Sequence, residues 1–583
     1  MSEHHWKLTD IFASTSELDE KIERLKSQAQ KFESTYKGKL SQIHTEVIGE
    51  YEQILEGVGA VATYSFLLFA QDSSLGDLYA KYELHCNEIQ SHLLFFEIEF
   101  CALSEKEQEE YKKQCPKYAY YLGNLLKSKP HQLTLEQEQV LLEVSPVGVG
   151  AFARFFDEHF SRMKFKFGKE AKRISEEEIL SYLYSLERKE RKKAQKVFSK
   201  KLGASSHFLT FIFNMVRKDL AINTKLRKYP LPESFRHLDN CTTQKSVDSL
   251  ICVVEENFSI VERYYEVKRE ILGLKKLKDY DRYAPIDKEG GEKIPYLDAL
   301  DLVQNSFEQF SSHFAQIVKR ALEGGWVDSH PKERKRGGAF SHGCVPSSHP
   351  YVLLNYTEGR RDVFTVAHEF GHMIHQELSK SQGYLNMDTP LTTAETASVF
   401  AEMLLFDTLK DRVPENELIS LYSGKLEDIF STLFRQIVMT NFERRIHAIS
   451  DELKTEEFDR IWKEENQKMF GKSVKLSKNY ERWWSYIPHF VHSPFYCYAY
   501  SYGQLLVLAL FGLYKRFANE GKKEEFVAKY TEFLSAGGSA SPRDLVMKFG
   551  FDVESEEFWK IGMEQVEKML EEFLQILGRR KNG

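Results

Sequence analysis

The sequence predicts a mainly α-helical protein, a large multi-helix body that carries one small β-sheet. With 15 prolines and 32 glycines, the 583 residues contain few helix breakers for a chain of this length. Apolar residues recur at helical spacing in the first third of the chain, whereas a strand-like pattern is confined to residues 337–356. Helices are expected to resume at Asp362 and to continue to the C-terminus.

The first predicted helices show both a period and start signals. A heptad seam with Ser16 and Asp19 at its N-terminus predicts a helix that packs in an antiparallel hairpin through Leu18, Ile22, Leu25, Ala29 and Phe32. Farther along, Ser175 and Glu178 have the spacing of a capping box in front of an apolar helix. Both signals place helices in the N-terminal third.

Composition excludes several classes of protein. Apolar residues make up 42% of the chain and charged residues 29%, which is ordinary for a globular protein and excludes a largely disordered chain. The formal charge of −7 provides no basic field for a polyanion, so nucleic acid is not an expected partner. The seven cysteines are scattered without a CxxC pair and the N-terminus has no secretory pattern, so we expect a cytoplasmic protein.

One stretch without charged side chains, residues 483–514, is long enough to cross a bilayer. Pro488, Pro494, His489 and His492 interrupt it, and several tyrosines crowd its first half. A lipid-facing helix would carry Leu, Ile and Val at these positions. We therefore expect a buried segment that lines a polar cavity, and no membrane as a partner.

The motif that carries chemistry is the HExxH pentad from His368 to His372. On a helix, positions i and i+4 share a face, so both imidazoles can bind one zinc ion. Glu369 then lies beside a zinc-bound water and can accept its proton. The alternative is a buried helix with two incidental histidines, and a third ligand is needed to decide between the two.

The third ligand is not a histidine, because Leu378 occupies the position that a metzincin would use. A downstream carboxylate remains, with Glu377, Asp388, Glu395 and Glu402 as candidates, of which Glu377 is on the motif helix itself. Glu395 and Glu402 are seven residues apart on a predicted helix over residues 394–405, so one can bind zinc while the other supports a ligand histidine.

Two residues near this group have competing interpretations. Thr392 and Glu395 also fit a capping box, in which Glu395 would only satisfy the start of its helix. His375 falls on the zinc face one turn beyond His372, where a packed or supporting histidine is favoured over a fourth ligand.

At this point the sequence resembles the oligoendopeptidase F branch of the thimet oligopeptidase family of zinc peptidases. The resemblance covers most of the chain. Beyond the HExxH pentad, it is carried by residues 6–12, 280–285, 335–341, 349–355, 487–490, 494–500 and 536–539. It implies a helical body split by a deep substrate cleft, with one zinc ion at its floor and Glu395 as the third ligand. It further implies an N-terminal helical region over 1–110, an oligopeptidase F-type domain over 111–200 and a zinc peptidase domain over 201–583.

The resemblance also implies how a substrate is held. The small sheet beside the zinc helix is expected to pair with an extended peptide, with Gly338, Ala339 and Phe340 as substrate-binding residues. His489 and Tyr496 are the predicted catalytic donors to the oxyanion that forms when a peptide bond is attacked. His492 and Tyr500 are predicted to contact the substrate. The alternative is that Tyr498, Tyr500 and Tyr502 are core residues with satisfied hydroxyls.

The sequence thus predicts a zinc-dependent endopeptidase that hydrolyses internal bonds of short, unfolded oligopeptides through Glu-assisted attack of a zinc-bound water. A zinc carboxypeptidase or dipeptidase on a similar helical frame is the nearest alternative. A non-catalytic peptide-binding scaffold is the alternative from another class, although such a protein has no need of Glu369. Short peptides are the expected partners, and the cleavage preference and the oligomeric state stay open.

Overall fold

The computed structural model describes residues 3–42, 45–145, 147–168, 172–286 and 293–582, and most of them are helical. The α-helices of these residues are α1 (Thr15–Tyr36), α2 (Thr45–Gln71), α3 (Gly76–Ser91), α4 (Phe95–Ala102), α5 (Glu105–Gln114), α6 (Ala119–Ser128), α7 (Leu135–Val144), α8 (Val149–Arg162), α9 (Glu176–Ser181), α10 (Arg188–Leu226), α11 (Ser234–Asp239), α12 (Gln244–Glu256), α13 (Phe258–Ile271), α14 (Tyr296–Phe310), α15 (Ser312–Glu323), α16 (Arg360–Ser379), α17 (Leu391–Ala394), α18 (Thr396–Leu409), α19 (Glu415–Ile429), α20 (Arg435–His447), α21 (Thr455–Phe470), α22 (His489–His492), α23 (Cys497–Asn519), α24 (Lys523–Ser535), α25 (Pro542–Met547) and α26 (Glu556–Asn582).

Short helical turns and short strands complete the secondary structure. A π-helical turn, Phe430–Phe434, joins α19 to α20, and 3₁₀ turns lie at Leu8–Asp10, Leu40–Gln42, Ser73–Leu75, Pro116–Tyr118, Lys129–His131, Tyr182–Tyr184, Asp279–Asp281, Lys380–Gln382 and Lys478–Tyr486. The strands are β1 (Phe165–Phe167), β2 (Lys172–Ile174), β3 (Leu277–Lys278), β4 (Val327–Asp328), β5 (Phe340–His342), β6 (Tyr351–Leu353) and β7 (Val474–Lys475). The predicted mainly α class with small sheets is confirmed.

The chain forms two compact units, each assembled from three separate stretches. Unit 1 comprises Met1–Lys129, Gly291–Arg412 and Leu513–Gly550, and unit 2 comprises Pro130–Gly290, Val413–Gly512 and Phe551–Gly583. The boundaries predicted at residues 110 and 200 come from the family resemblance, not from the compactness of the fold. The two compact units do not test them, so they stay a prediction.

Unit 1 contains the three-stranded sheet that the sequence predicts. Its strand order is β4-β6-β5, with β6 parallel to β4 and antiparallel to β5, so β5 forms one edge. The strand-like pattern over residues 337–356 corresponds to β5 and β6. Each strand has only three residues, fewer than the pattern covers. The indole Nε1 of Trp6 donates to the carbonyl oxygen of Val352 at 2.8 Å, which fixes the N-terminal segment to β6.

The heptad seam of α1 is buried in the core of unit 1, as predicted. All five seam residues are at most 2% exposed. The predicted N-cap is wrong by two residues, because Ser14 Oγ accepts the N–H of Glu17 at 3.3 Å and Glu17 Oε2 accepts the N–H of Ala13 at 2.7 Å. The Ser14 side chain thus caps the first turn, so α1 begins at Thr15, and the Glu17 carboxylate binds the backbone just before the cap.

Unit 2 is organised around α10, a helix of 39 residues. Arg188 and Arg191 of this helix both pair with the buried carboxylate of Asp281, at 2.8 and 3.2 Å. The capping box predicted at Ser175 and Glu178 is confirmed, since each side chain accepts the other residue's N–H. Two further small sheets, β1-β2 and β3-β7, lie in this unit.

Within the described part of the chain, two helices have the length and hydropathy of a membrane span, residues Glu46–Gln71 and Cys497–Asn519. In the second, 89% of the apolar window is buried within the protein. The core helix of a soluble protein passes the same test, and burial of the charge-free segment is what the sequence predicts.

Candidate functional site

Helix α16 carries the HExxH pentad on its buried side. It begins at Arg360, two residues before the predicted start, because Asp362 Oδ2 accepts the N–H of Gly359 at 3.1 Å and caps the first turn. Several of its apolar residues, among them Val363, Val366 and Phe370, are fully buried. The ring centroids of His368 and His372 are 4.8 Å apart. The helix therefore presents both imidazoles on one face.

The carboxylate that completes the group comes from a break between two helices. α17 ends at Ala394, α18 begins at Thr396, and Glu395 sits between them. Glu395 Oε2 lies 3.4 Å from His368 Nε2 and 3.3 Å from His372 Nε2. The capping-box alternative is wrong, because the N-cap residue of α17 is Pro390 rather than Thr392. No side chain caps the start of this helix. The carboxylate of Glu395 is thus available to a metal ion.

A glycine allows α18 to approach α16 this closely. A Cβ atom on Gly371 would lie 2.5 Å from the carbonyl oxygen of Ala397 and 2.6 Å from the Cα of Ser398. Both are backbone atoms, which cannot rotate away. Gly371, inside the pentad, therefore sets the distance between the histidine helix and the segment that carries Glu395.

We expect Gly371→Ala to lower the free energy of unfolding by about 1–3 kcal/mol, since the added methyl group forces two packed helices apart. Urea denaturation measures this change. Gly424→Ala is the matched control, because Gly424 is also inside a helix but has no neighbour within 4 Å of an added Cβ. That control should be stabilised by about 0.4–1 kcal/mol. Equal midpoints for Gly371→Ala and the unmodified protein would contradict the role of Gly371.

The donor atoms of His368, His372 and Glu395 lie within 4.8 Å of one another. Two imidazole nitrogens and one carboxylate oxygen are a donor set that zinc accepts in catalytic sites. When both histidines are neutral, as metal ligands must be, the carboxylates of Glu369, Glu395 and Glu402 carry three negative charges in this half-buried region. A bound cation would compensate part of that charge. The residues therefore fit a divalent cation in both donor type and charge.

Glu402 supports the group from one side. Its Oε1 lies 2.7 Å from Nδ1 of His368, which leaves Nε2 directed at Glu395. Such a carboxylate fixes the tautomer of a ligand histidine and its ring orientation. Burial lowers the pKa of His368, but the carboxylates of Glu402, Glu395 and Glu369 outweigh it and raise that pKa to about 9.

Glu395 and Glu369 differ in their electrostatic surroundings. Burial raises the pKa of Glu395, yet hydrogen bonding and attraction from His372 and His368 bring it down to about 2. Ser398 Oγ also donates to Glu395 Oε2 at 2.8 Å, a contact that the sequence did not reveal. At Glu369, burial dominates over the nearby histidines and raises the pKa.

His375 is buried and does not join the donor group. It is 4% exposed, and burial, together with the charge of His372, lowers its pKa to about 3. Among the described residues, no hydrogen bond to a ligand residue is recorded for it. It contributes a neutral ring to a cavity next to the pentad, and its predicted supporting role stays a prediction.

The predicted substrate strand borders the same cavity. Ala339, Phe340 and Ser341 line the cavity, whereas Gly338 precedes it and accepts the side-chain amide of Asn355 at 2.7 Å through its carbonyl oxygen. Ser341 Oγ donates to Gln376 Oε1 at 2.6 Å, which ties β5 to α16. The sheet edge is therefore held beside the histidine helix.

The loop before β5 contains a lysine whose side chain is buried in an ion pair. The side chain of Lys335 is only 1% exposed, and its Nζ lies 2.8 Å from Oδ1 of Asp328, itself 1% exposed. A buried ion pair at the end of β4 therefore anchors the loop that leads into the substrate strand.

His489 and the predicted tyrosines lie in unit 2. The rings of His489 and Tyr496 are stacked at 5.9 Å, and His489 Nε2 lies 3.2 Å from the hydroxyl oxygen of Tyr500. Burial lowers the pKa of His489, and the charges of Arg435 and His492 add to this effect. His492 Nε2 lies 2.8 Å from Oδ1 of Asp157. The structure thus groups three of the four predicted residues.

The other tyrosines of this segment belong to the core. Tyr498 is fully buried, and its hydroxyl lies 2.8 Å from Nδ1 of His237 and accepts the side-chain amide of Asn240 at 2.8 Å. The hydroxyl of Tyr502 lies 3.0 Å from Oγ of Ser246. The core interpretation therefore holds for these two residues.

Sequence reasoning missed Glu443, which orders the turn before Tyr496. Phe495 has a φ of +58°, in the left-handed region that a phenylalanine rarely adopts. Its N–H donates to Glu443 Oε1 at 2.8 Å, and burial raises the pKa of Glu443 to about 8. No local signal links two residues 52 positions apart.

Comparison with known proteins covers nearly the whole chain. The profile described as Peptidase family M3 matches residues 181–565, and the one described as Oligopeptidase F matches residues 99–165. The Oligopeptidase PepF of Bacillus subtilis is 28% identical, over 100% of this chain and 88% of that protein. The Oligoendopeptidase F homolog of Borreliella burgdorferi is 27% identical, over 97% of this chain and 98% of that protein.

Solved structures share the fold. A chain from Chlamydophila abortus superimposes with a TM-score of 0.86 at 25% identity, over 98% of each chain. Oligoendopeptidase-F from Enterococcus faecium superimposes with a TM-score of 0.71 at 21% identity, over 97% of this chain and 99% of that one.

Proposed function

The chain belongs to peptidase family M3, and from this membership we propose that it is a zinc-dependent endopeptidase that hydrolyses internal bonds of short, unfolded oligopeptides. Hydrolysis of peptide bonds follows from the family. The group of His368, His372 and Glu395, with Glu369 between the histidines, is the observation that supports the metal and the mechanism. The internal position of the bond rests on the relatives' names, oligopeptidase and oligoendopeptidase F.

His368, His372 and Glu395 would hold the ion. Zinc, when bound, supplies a Lewis acid that polarises a carbonyl group and lowers the pKa of water towards about 7. Glu402 keeps the His368 ring in the orientation that directs Nε2 at the ion, and Ser398 steadies the carboxylate of Glu395. These two contacts limit the freedom of two of the three ligands before metal binds.

Glu369 is the proposed general base. Glu369 is 6% exposed, and burial raises the pKa of its carboxyl group, which makes the carboxylate a stronger base than a solvated glutamate. In this proposal Glu369 accepts a proton from the attacking water and returns it to the leaving amine. No other carboxylate lies between the two histidines on α16.

The edge strand β5 supports an extended substrate. An edge strand presents unpaired backbone N–H and C=O groups, and a peptide can add to it as a further strand. Ala339 and Phe340 are the proposed contacts, since both line the cavity next to the pentad. Main-chain pairing of this kind requires an unfolded segment, which fits a short peptide and excludes a folded domain.

His489 and Tyr496 are the proposed donors to the oxyanion. His489 is held between the Tyr496 ring and the Tyr500 hydroxyl, so its imidazole has a defined orientation. The turn that carries Tyr496 is fixed by Glu443. Preorganised donors of this type stabilise a transition state more than the bound substrate.

We expect Tyr496→Phe to lower kcat by about 10²–10³-fold with a much smaller change in KM, because it removes one oxyanion donor and keeps the ring. Steady-state kinetics on one peptide measure both constants. Tyr498→Phe is the structural control, since its hydroxyl is already bonded to His237 and Asn240. If Tyr500→Phe lowers kcat while Tyr496→Phe does not, the donor is Tyr500.

The function is tested with an internally quenched peptide whose two ends are blocked, combined with metal analysis. Cleavage that stops on chelation and returns with zinc, at about one zinc per chain, supports the proposal. Cleavage only of peptides with a free end would instead indicate a carboxypeptidase or dipeptidase. A folded protein that binds no metal and cleaves no peptide would indicate a peptide-binding scaffold.

A further inference from the structure

Unit 1 contains a cavity of ≈490 Å³ that extends beyond the metal-ligand group. Besides the pentad, its wall includes Gln376 and Ser379 of α16 and the loop residues Met387, Asp388 and Thr389. A cavity of this size is large enough for a substrate side chain. The mechanism above uses the pentad and β5 and leaves this loop wall without a role.

Apart from its imidazoles, the ionisable lining of the cavity is acidic. Its carboxylates are Glu369, Glu395 and Asp388, and no Lys or Arg lines it. Glu395 faces the two imidazoles and Glu369 lies between them, so both belong to the metal site. Asp388 is exposed to solvent and makes no ion pair with any residue of the described ranges. A single uncompensated carboxylate thus remains in the wall.

Two polar side chains of the wall, those of Gln376 and Ser379, already hydrogen-bond within the protein. The side chain of Gln376 bonds to Ser341 Oγ at 2.6 Å and to the Ser341 carbonyl oxygen at 3.1 Å, and Ser379 Oγ donates to a backbone carbonyl of its own helix at 3.3 Å. None of these groups neutralises Asp388. A cation carried by a ligand can therefore reach this carboxylate without displacing a protein partner.

A glycine turn holds the backbone of Asp388 in place. The N–H of Gly538 donates to the Asn386 carbonyl oxygen at 2.8 Å, and a Cβ on Gly538 would lie 2.0 Å from the Asp388 carbonyl oxygen. Gly537 has a φ of +51°, and a Cβ there would lie 2.7 Å from the Met387 carbonyl oxygen. Two adjacent glycines therefore pack directly against the backbone of this loop. Their contact fixes the backbone position from which the Asp388 side chain extends.

We propose that Asp388 forms a subsite for a cationic group of the peptide substrate, either a Lys or Arg side chain near the cleaved bond or the peptide's own α-amine. The proposal rests on the proposed peptidase function and adds a substrate class to it. A cation of the substrate that binds this carboxylate, and is covered with it by the bound peptide, gains a charge-assisted hydrogen bond. A neutral side chain of the same length does not.

The test compares blocked, internally quenched peptides that differ only by Lys or norleucine, scanned through the positions on both sides of the cleaved bond. At one position we expect kcat/KM to favour Lys by at least about tenfold, the effect of one hydrogen bond to a charged group. Asp388→Asn should reduce that ratio to near one. Asp77→Asn, the same change at an exposed residue of unit 1 outside the cavity, should leave the ratio unaltered.

A second set of peptides, with free or acetylated N-termini, separates the two sources of the cation. If acetylation lowers kcat/KM at least about tenfold in the unmodified protein but not in Asp388→Asn, the α-amine is the ligand. A Lys-to-norleucine ratio and an acetylation effect that are both identical in the unmodified protein and in Asp388→Asn would overturn the proposal.

Binding provides a readout that does not depend on turnover. In a Glu369→Gln background, the Kd of a labelled Lys peptide should be at least about tenfold lower than that of the norleucine peptide, and adding Asp388→Asn should remove the difference. Equal Kd values for all cationic and neutral peptides in that background would overturn the subsite. If no peptide is hydrolysed by the unmodified protein, the proposed function fails, and this binding experiment alone decides on Asp388.

Discussion

Glu369→Gln is expected to lower kcat by about 10²–10⁴-fold, the usual contribution of a general base, while the protein keeps its metal. The amide has nearly the size of the carboxylate but no basic oxygen, so the buried site is not emptied. Because His368, His372 and Glu395 are untouched, metal content should equal that of the unmodified protein. Inductively coupled plasma analysis and steady-state kinetics on one sample measure both quantities.

The matched control is Glu377→Gln, the same chemical change on the same helix. Glu377 pairs with Lys380 and Arg320 and lies outside the metal-ligand group. It should retain kcat within a few-fold. A Glu369→Gln variant that keeps a tenth of the original kcat would remove Glu369 from the role of base. Loss of metal from this variant would show that Glu369 supports the ligands instead.

Glu395→Ala is expected to weaken metal binding more than Glu402→Ala does. Glu395 Oε2 lies 3.3–3.4 Å from the Nε2 atoms of both histidines, whereas Glu402 Oε1 lies 2.7 Å from Nδ1 of His368, the nitrogen on the other side of that ring. Loss of a supporting carboxylate typically costs about 10–100-fold in metal affinity, and loss of a ligand should exceed this. Hydrolysis by Glu395→Ala should fall in proportion to metal occupancy at limiting zinc.

Competition with a chelator of known affinity gives the metal Kd of each variant. The rise of Tm with added zinc gives an independent measure, because a ligand that binds only the folded state stabilises it by mass action. The order would be wrong if Glu395→Ala retained metal as tightly as the unmodified protein. If Glu402→Ala lost more metal affinity than Glu395→Ala, Glu402 would be the metal ligand and Glu395 the supporting carboxylate.

The pentad was predictable because its information is local. Helical spacing places His368 and His372 on one face wherever the helix lies, and buried apolar neighbours guarantee that the helix forms. The reciprocal contacts of Ser175 and Glu178 span three residues and were predictable for the same reason. Local spacing did not determine the register at α1, where two serines compete and Ser14 is used.

The rest of the site depends on contacts between distant stretches. Whether Glu395 caps a helix or faces the histidines was open in the sequence, and the answer depends on the close approach of Ala397 to Gly371. The burial of Lys335 depends on its ion pair with Asp328, seven residues earlier, and the path of the loop between them is not encoded in residue spacing. The role of Glu443 depends on packing across 52 residues. Each of these is a tertiary effect that residue spacing does not encode.

The shortness of β5 also bears on how the protein behaves at high concentration. An exposed sheet edge can recruit a second copy and start aggregation, and proteins commonly counter this with very short edge strands. β5 has three residues, and the carbonyl oxygen of Ser341 already accepts the Gln376 side chain at 3.1 Å. Few backbone groups of β5 therefore remain for pairing with a strand of a second protein molecule. The proposed peptide, which also contacts the cavity walls, can bind at this edge, whereas fibril growth finds too few backbone groups there.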